Sequence, residues 1–329
     1  MISYSKMKNS IQKIHEYASI VSKKKWKAIS QKVIREDFKN YSNILCVFQT
    51  FNKSHLIRLV LGPFLNAKFQ NIILFADGCI DGTLKKASHL LVGKHHAVIA
   101  MNDLHEIHNY RFAITSEWGR RAEFALLMQD DDIYPDSFEW LDYGLEMMKR
   151  DKRLVVLGFN GGINIKNIST ASESFATDKF DVDGGSYKFS SNMEGNFVAR
   201  PGAIGNKLDF NYGQVAIRAP QLIRIAEFLE NTSFDHSFEP YQDDDTNACL
   251  ELWSKGYRVG FVHGLTAYRG IGVSGMKLSM EANMNIRPDH MRRNHNLLFE
   301  RYGDFINSGK IHEIVNQANA SIVKRFLYL

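Results

Sequence analysis

Apolar positions in this chain alternate between two patterns. Continuous apolar runs of strand length occur at Asn43 to Thr50, Ile72 to Ala76, Ala97 to Ala100, Phe124 to Met128, Leu154 to Gly158 and Arg258 to Val262. Runs of this kind belong to strands covered on both faces. Between them the apolar residues recur at spacings of three and four, as in Leu56, Leu59, Val60 and Phe64, or Phe138, Leu141, Leu145 and Met148. That spacing predicts helices, among them one over about 103–118, one opening at Pro135 and Asp136, one over about 220–229 and one carrying Cys249, Leu252 and Trp253. Strand and helix in alternation predict βαβ units, hence an α/β fold on a mostly parallel, twisted sheet flanked by helices. From Phe159 to about Gly205 the periodicity dissolves into Gly, Ser, Asn and Asp, which predicts a long irregular segment. Residues 1–40 are charged, with Ile11, Ile14, Tyr17 and Ala18 at helical spacing, and are expected to form a helical arm. The main domain is expected over 41–303, with a basic helix near Pro288 to Tyr302, and an amphipathic C-terminal helix over 304–329.

Composition narrows this picture without changing it. A chain of 329 residues with 44% hydrophobic and 12% aromatic content can bury a large core. Lys plus Arg number 41 against 36 acids, a mild excess of +5. That balance argues against bulk nucleic-acid binding and permits peripheral contact with an anionic membrane surface. Cys46, Cys79 and Cys249 are isolated and odd in number, which fits neither a zinc spacing nor a disulfide framework. No run has the length of a signal peptide core or of a spanning helix, so a cytoplasmic protein is expected.

The chemistry concentrates where the fourth apolar run ends in Gln129-Asp-Asp-Asp-Ile133. Three adjacent carboxylates repel one another unless a cation or hydrogen-bond donors face them. Carboxylate oxygens suit Mg2+ or Mn2+, with substrate phosphates completing the shell. Thr50, Asp77 and Asp130 each close an apolar run, and ligand sites of parallel sheets gather at such ends. A second acid cluster, Asp243-Asp-Asp245, opens a predicted helix.

These segments together resemble the inverting glycosyltransferases of the GT-A fold, family 2, over about residues 43–303. Val47-Phe-Gln-Thr-Phe-Asn52 is similar to the family's opening segment. Asp77-Gly-Cys-Ile-Asp-Gly-Thr83 is similar to its "DDGSxDGT" turn, with Ala76 in place of the first Asp. His105 to Arg111, followed by Leu126 to Ile133, is similar to a bacterial subgroup with "HEIRxYNxA" and "LLQDDD"; Asp245 to Gly260 is similar to that subgroup's "DxxLxxRAWxAGYxVG". The resemblance implies a Rossmann-like nucleotide half and an acceptor half. It implies that Thr50, Phe51 and Asp77 hold base and ribose, that Arg111 approaches the base or diphosphate, and that Asp131, flanked by Asp130 and Asp132, reaches the Mg2+ or Mn2+ bridging the diphosphate. It further implies that Asp245 is the catalytic base, with Asp244 in the place of the usual Glu. The expected partners are a nucleotide-sugar donor, UDP-sugar favoured, and a saccharide or lipid-linked acceptor, as in surface polysaccharide synthesis.

One departure bears on the metal. Where many members carry a ligating His, Tyr268-Arg-Gly-Ile-Gly-Val-Ser274 has Arg269, which cannot ligate a cation but can bind phosphate bidentately. His263 is the substitute ligand to consider. Tyr212, Phe238 and Tyr241 are candidate stacking surfaces for an acceptor sugar. Among the other histidines, His95, His96, His105 and His108 lack a zincin spacing. The rival readings are a nucleotidyltransferase on a related sheet, for which Thr50-Phe-Asn-Lys53 is a poor phosphate loop, and a sugar-binding or scaffold protein without turnover.

Overall fold

The computed structural model describes residues 41–67, 69–93, 95–159, 161–171, 179–181, 186–189, 193–199, 209–218, 220–239, 243–263 and 280–322. The arm expected over 1–40 lies outside these. In chain order the elements are β1 (Ile44–Thr50), α1 (Ile57–Asn66), β2 (Asn71–Asp77), α2 (Thr83–Leu90), β3 (His96–Met101), α3 (His105–Thr115), α4 (Glu117–Arg120), β4 (Phe124–Gln129), α5 (Glu139–Arg150) and β5 (Leu154–Gly158). There follow β6 (Gly162–Ile168), β7 (Lys179–Asp181), β8 (Ser186–Phe189), β9 (Met193–Ala199), β10 (Asp209–Tyr212), β11 (Val215–Ala216), β12 (Gln221–Arg224), α6 (Ile225–Asn231), α7 (Asp244–Ser254), β13 (Arg258–His263), α8 (Met280–Asn307) and α9 (Lys310–Ala320).

The expected α/β architecture is present. An eight-stranded sheet runs in the order β10-β13-β5-β12-β4-β1-β2-β3. The pairs β3–β2, β2–β1, β1–β4 and β5–β13 are parallel, while β12 and β10 run against their neighbours. Ile44 through Phe48 of β1 are fully buried, as a continuous apolar run in a doubly covered strand should be. The register sets Thr50 opposite Ala76 and Gln49 opposite Gln129, so Thr50, Asp77 and Asp130 leave the sheet side by side.

Three expectations are corrected. The segment after Phe159 is not irregular throughout: β6 to β9 and β11 form a second, antiparallel sheet in the order β11-β6-β9-β8-β7. Register shifts between Gly162 and Ile163 and between Ile165 and Asn167 break the two-residue alternation that would reveal β6 in the sequence. The helix expected from Pro220 begins only at Ile225, because Gln221 to Arg224 form the buried strand β12 between β4 and β5. A run this short reads equally as one helical turn. The chain after Met280 is one helix to Asn307, and the final helix starts at Lys310 beyond Gly309, whose φ of 76° ends the helical path.

The far edge of the large sheet is locked by a buried polar trio. Asp151, 3% exposed, accepts hydrogen bonds from the Tyr212 hydroxyl at 2.6 Å and from Arg258 at 2.7 Å. Burial alone raises the Asp151 pKa, but the bonds from Tyr212 and Arg258 and the Arg258 charge outweigh it and hold the carboxyl below its ordinary value. A depressed folded pKa contributes stability that is present above the unfolded value and lost as pH falls through the folded one. Asp151→Asn, which keeps the shape but weakens these charged hydrogen bonds, therefore costs about 2 kcal/mol at pH 7. In urea melts the gap to wild type narrows below about pH 4; a gap of equal size at pH 3 contradicts the ionised role. The same trio takes Tyr212 out of consideration as an acceptor platform, since it is wholly buried.

Candidate active site

The loops beyond β1, β2 and β4 are woven into one rim. Asp130 accepts the Thr50 hydroxyl at 2.8 Å and the Phe51 amide at 2.7 Å through one oxygen. Asp77, fully buried, accepts Gln49 at 3.0 Å and the Leu104 and His105 amides at 2.8 Å each. It thereby ties β1 to the start of α3. Asn52 accepts the amides of Ile80 and Asp81, and Asp81 in turn accepts those of Ser54 and Thr83. The turn after β2 needs Gly78, with φ 68° and Asp103 close by on the side a Cβ would occupy. Among the described residues, four with side chains also adopt positive φ: Asn52, Asp103, His105 and Asp243. Three of them line this rim and the fourth opens α7. Strained backbone of this kind persists where the surroundings over-determine it and gathers at functional sites.

The three carboxylates after β4 divide by environment. Burial pushes Asp130 up to about 6, against the nearby Lys53 ammonium and the bonds from Phe51 and Thr50. Asp132, 4% exposed, accepts the Tyr134 hydroxyl at 2.8 Å. Asp131 is half-buried and accepts no hydrogen bond from a described residue. Of the three, it is the carboxylate that no described residue engages by a hydrogen bond.

A buried bridge joins this rim to the second acid cluster. Gln129, at the end of β4, donates to Glu106 of α3 at 3.2 Å. Glu106 stands 3.8 Å from Arg218, and Arg218 donates to Asp244 at the start of α7. The Arg218 guanidinium, 7% exposed, lies 5.0 Å over the Tyr110 ring and 5.3 Å over the Phe234 ring. Burial disfavours its charge, but Asp244 and Glu106 more than compensate and raise its pKa. Asp244 is 2% exposed and committed to this pair, whereas Asp245 is half-buried and accepts the Thr246 amide at 2.8 Å and a backbone bond from Arg218. Burial, and next the charge of Asp244, raise the Asp245 pKa against the pull of Arg218. Two neighbouring acids are thus held in different environments, one paired with a buried cation and the other with its pKa raised.

The structure brings together Thr50, Phe51, Asp77, Asp130, Asp131 and Asp132, and bridges them to Asp244 and Asp245. It does not bring two expected members to the rim. Arg111 donates to the Phe234 carbonyl at 3.3 Å, turned towards the loop before α7. His263 ends β13, three strands from β4 and so about 14 Å across the sheet. There it pairs with Asn211 at 3.2 Å, and burial lowers its pKa with Asp209 opposing. Among the described residues it is not grouped with Asp131 and Asp132. Arg269 and Tyr241 lie outside the described residues. Phe238 is fully buried under Arg301, which excludes it as a sugar platform. Sequence reasoning missed Gln49, Glu106 and Arg218. Glu106 lay inside a segment quoted for its resemblance, but Arg218 follows no local pattern and is found only through the pairing of distant strands.

The chain matches no protein-family model, and no curated protein matches it. Among solved structures it is similar to S. aureus TarS, at 14% identity and a TM-score of 0.42, over 69% of this chain and 36% of that one. It is also similar to S. aureus TarS 1-349, at 12% identity and 0.45, over 84% and 82%, and to the same portion in complex with UDP, at 13% and 0.35, over 67% and 60%. The chain thus spans about a third of the first of these. All three TM-scores lie below 0.5, and nothing about activity follows from them.

Proposed function

We propose that this chain is an inverting glycosyltransferase of the GT-A, family 2 kind, moving a sugar from a nucleotide-diphosphate donor, UDP-sugar favoured, to a saccharide or lipid-linked acceptor. One observation carries the reading: a continuous polar bridge, Gln129 to Glu106 to Arg218 to Asp244, links the metal-type carboxylates at the end of β4 to a carboxylate pair at a helix start. The chemistry needs both at once. Negative charge develops on the departing diphosphate, and the acceptor hydroxyl must lose its proton.

In this reading Thr50, Phe51 and the buried Asp77 shape the pocket for base and ribose. The donor set fits a hard cation, since Asp131 accepts no hydrogen bond among the described residues and stands beside Asp130, and a magnesium usually takes one or two carboxylates plus substrate phosphates. Mg2+ or Mn2+, when bound there, supplies positive charge to the leaving diphosphate. Asp245 takes the acceptor hydroxyl's proton as that oxygen forms a bond to the anomeric carbon. The bond from that carbon to the diphosphate breaks on the opposite face, its electron pair leaving with the diphosphate. Asp244, held by Arg218, orients its neighbour and keeps it proton-affine.

The test is a thermal-shift screen of UDP, GDP, CDP and dTDP, each with Mn2+ and with EDTA, on wild type and Asp131→Ala. A ligand of the folded state adds about 2.7 kcal/mol of stability at a hundredfold excess over its dissociation constant. The expected result is a rise with UDP and Mn2+ that EDTA and Asp131→Ala both abolish. No shift with any nucleotide removes the transferase reading and favours a non-catalytic binding protein.

A further inference from the structure

The fold brings together three metal-type ligands that are far apart in the chain. His108 lies on α3; His236 opens a short 3-10 turn, His236–Phe238, ahead of α7, and Glu239 follows that turn directly. One ligand atom from each lies within 4.8 Å of the others. We propose that His108, His236 and Glu239 bind a divalent transition-metal ion of the Zn2+ type, at a site distinct from the carboxylates beyond β4.

Local geometry supports the set. The Glu239 amide donates to the His236 carbonyl at 3.1 Å, which closes the turn between the two residues, and their side chains are in contact. His108 and Arg111 share a face of α3 at i, i+3, and Arg111 donates to the Phe234 carbonyl, so this face of the helix meets the loop. The His108 and His236 rings lie 5.9 Å apart between centroids. Ligand atoms around tetrahedral zinc stand about 3.3 Å apart, which small side-chain rotations reach from here. The loop itself is held on several sides. Arg301 bonds Asp235 at 2.6 Å, Asn294 donates to the Phe238 carbonyl at 2.8 Å, and Arg293 donates to the Glu239 carbonyl. None of these bonds engages the Glu239 carboxylate, which contacts His236.

The donor chemistry selects the ion. Two imidazoles and one carboxylate suit zinc and its neighbours better than Mg2+, which prefers all-oxygen shells. Three protein ligands leave a fourth position for water or a ligand oxygen. A bound ion would pin α3 to the loop leading into Asp244 and Asp245. The inference stands apart from the transferase reading, because it concerns binding of the metal alone.

The experiment is calorimetric titration of chelator-treated, full-length protein with Zn2+ alone, and with Co2+ followed by visible absorption. The proteins are wild type, His108→Ala, His236→Ala, Glu239→Gln and, as a control, Asp131→Ala. We expect one Zn2+ per chain in wild type and in Asp131→Ala, at least tenfold weaker binding in both histidine variants, and a Co2+ spectrum without thiolate charge transfer. Because His236 is exposed, its variant should melt like metal-free wild type. No binding in wild type, equal binding in His236→Ala, or a thiolate band would each overturn the proposal and leave an ordinary His–Glu surface pair.

Discussion

Under the proposed function, replacing Asp245 by asparagine lowers the turnover of sugar transfer by about 100- to 10,000-fold, the range expected when a general base is removed. Nucleotide binding, read by the same thermal-shift screen, stays as in wild type, because the strand-end rim is untouched. Folding should not suffer either. Burial and the charge of Asp244 raise the Asp245 pKa, so ionised Asp245 is penalised in the folded state, and an amide of the same shape relieves that penalty at pH 7. The pH profile carries the sign of the same effect. The base must be ionised to act, so the rate rises with pH through the Asp245 pKa, and the acid limb of kcat stands above the ordinary Asp value of about 3.9. A variant retaining a third or more of wild-type turnover would move the base elsewhere, with Asp244 the next carboxylate to substitute.

Arg218 governs stability as Asp245 governs turnover. Arg218→Leu leaves Asp244, 2% exposed, without its cation, and removes the guanidinium stacked between Tyr110 and Phe234. Breaking a buried pair from one side costs about 3–5 kcal/mol, through the charge left behind as well as the lost contact. Urea melts at pH 7 measure it directly. Adding Asp244→Asn to Arg218→Leu removes the orphaned charge and should restore part of the loss, the non-additivity expected of contacting groups. A loss below about 1 kcal/mol for the single variant, the value of an exposed ion pair, sinks this account.

Much of the nucleotide-side geometry was legible because it is written locally. Five apolar runs, ending near Thr50, Asp77, Met101, Gln129 and Gly158, become β1 to β5 within a residue or two at each end. Polar residues at the ends of adjacent parallel strands must share a rim, so Thr50, Asp77 and Asp130 could be placed together before any coordinates. What stayed hidden depends on register and on distant pairing. The bulges of β6 scramble the alternation that marks a strand, and β12 is too short to declare a period. Arg218 and Glu106 are separated in sequence by strands β4 to β11 and helices α4 and α5, and nothing local announces that they meet. The burial of Tyr212 and Phe238 was equally invisible, because an aromatic in a loop reads alike whether it faces solvent or a salt-bridged interior.

Strand β12 also dictates an order of assembly. The parallel group β3-β2-β1-β4 uses only residues 44–129 and can pair as the chain emerges. Its β4 edge, apolar and unpaired on one side, gains its neighbour only once residue 221 is available. An open apolar edge is a template for pairing with other chains, and late non-local closure lengthens the time it stays open. The interval between making β4 and capping it with β12 is therefore when this protein is most exposed to misassembly during synthesis.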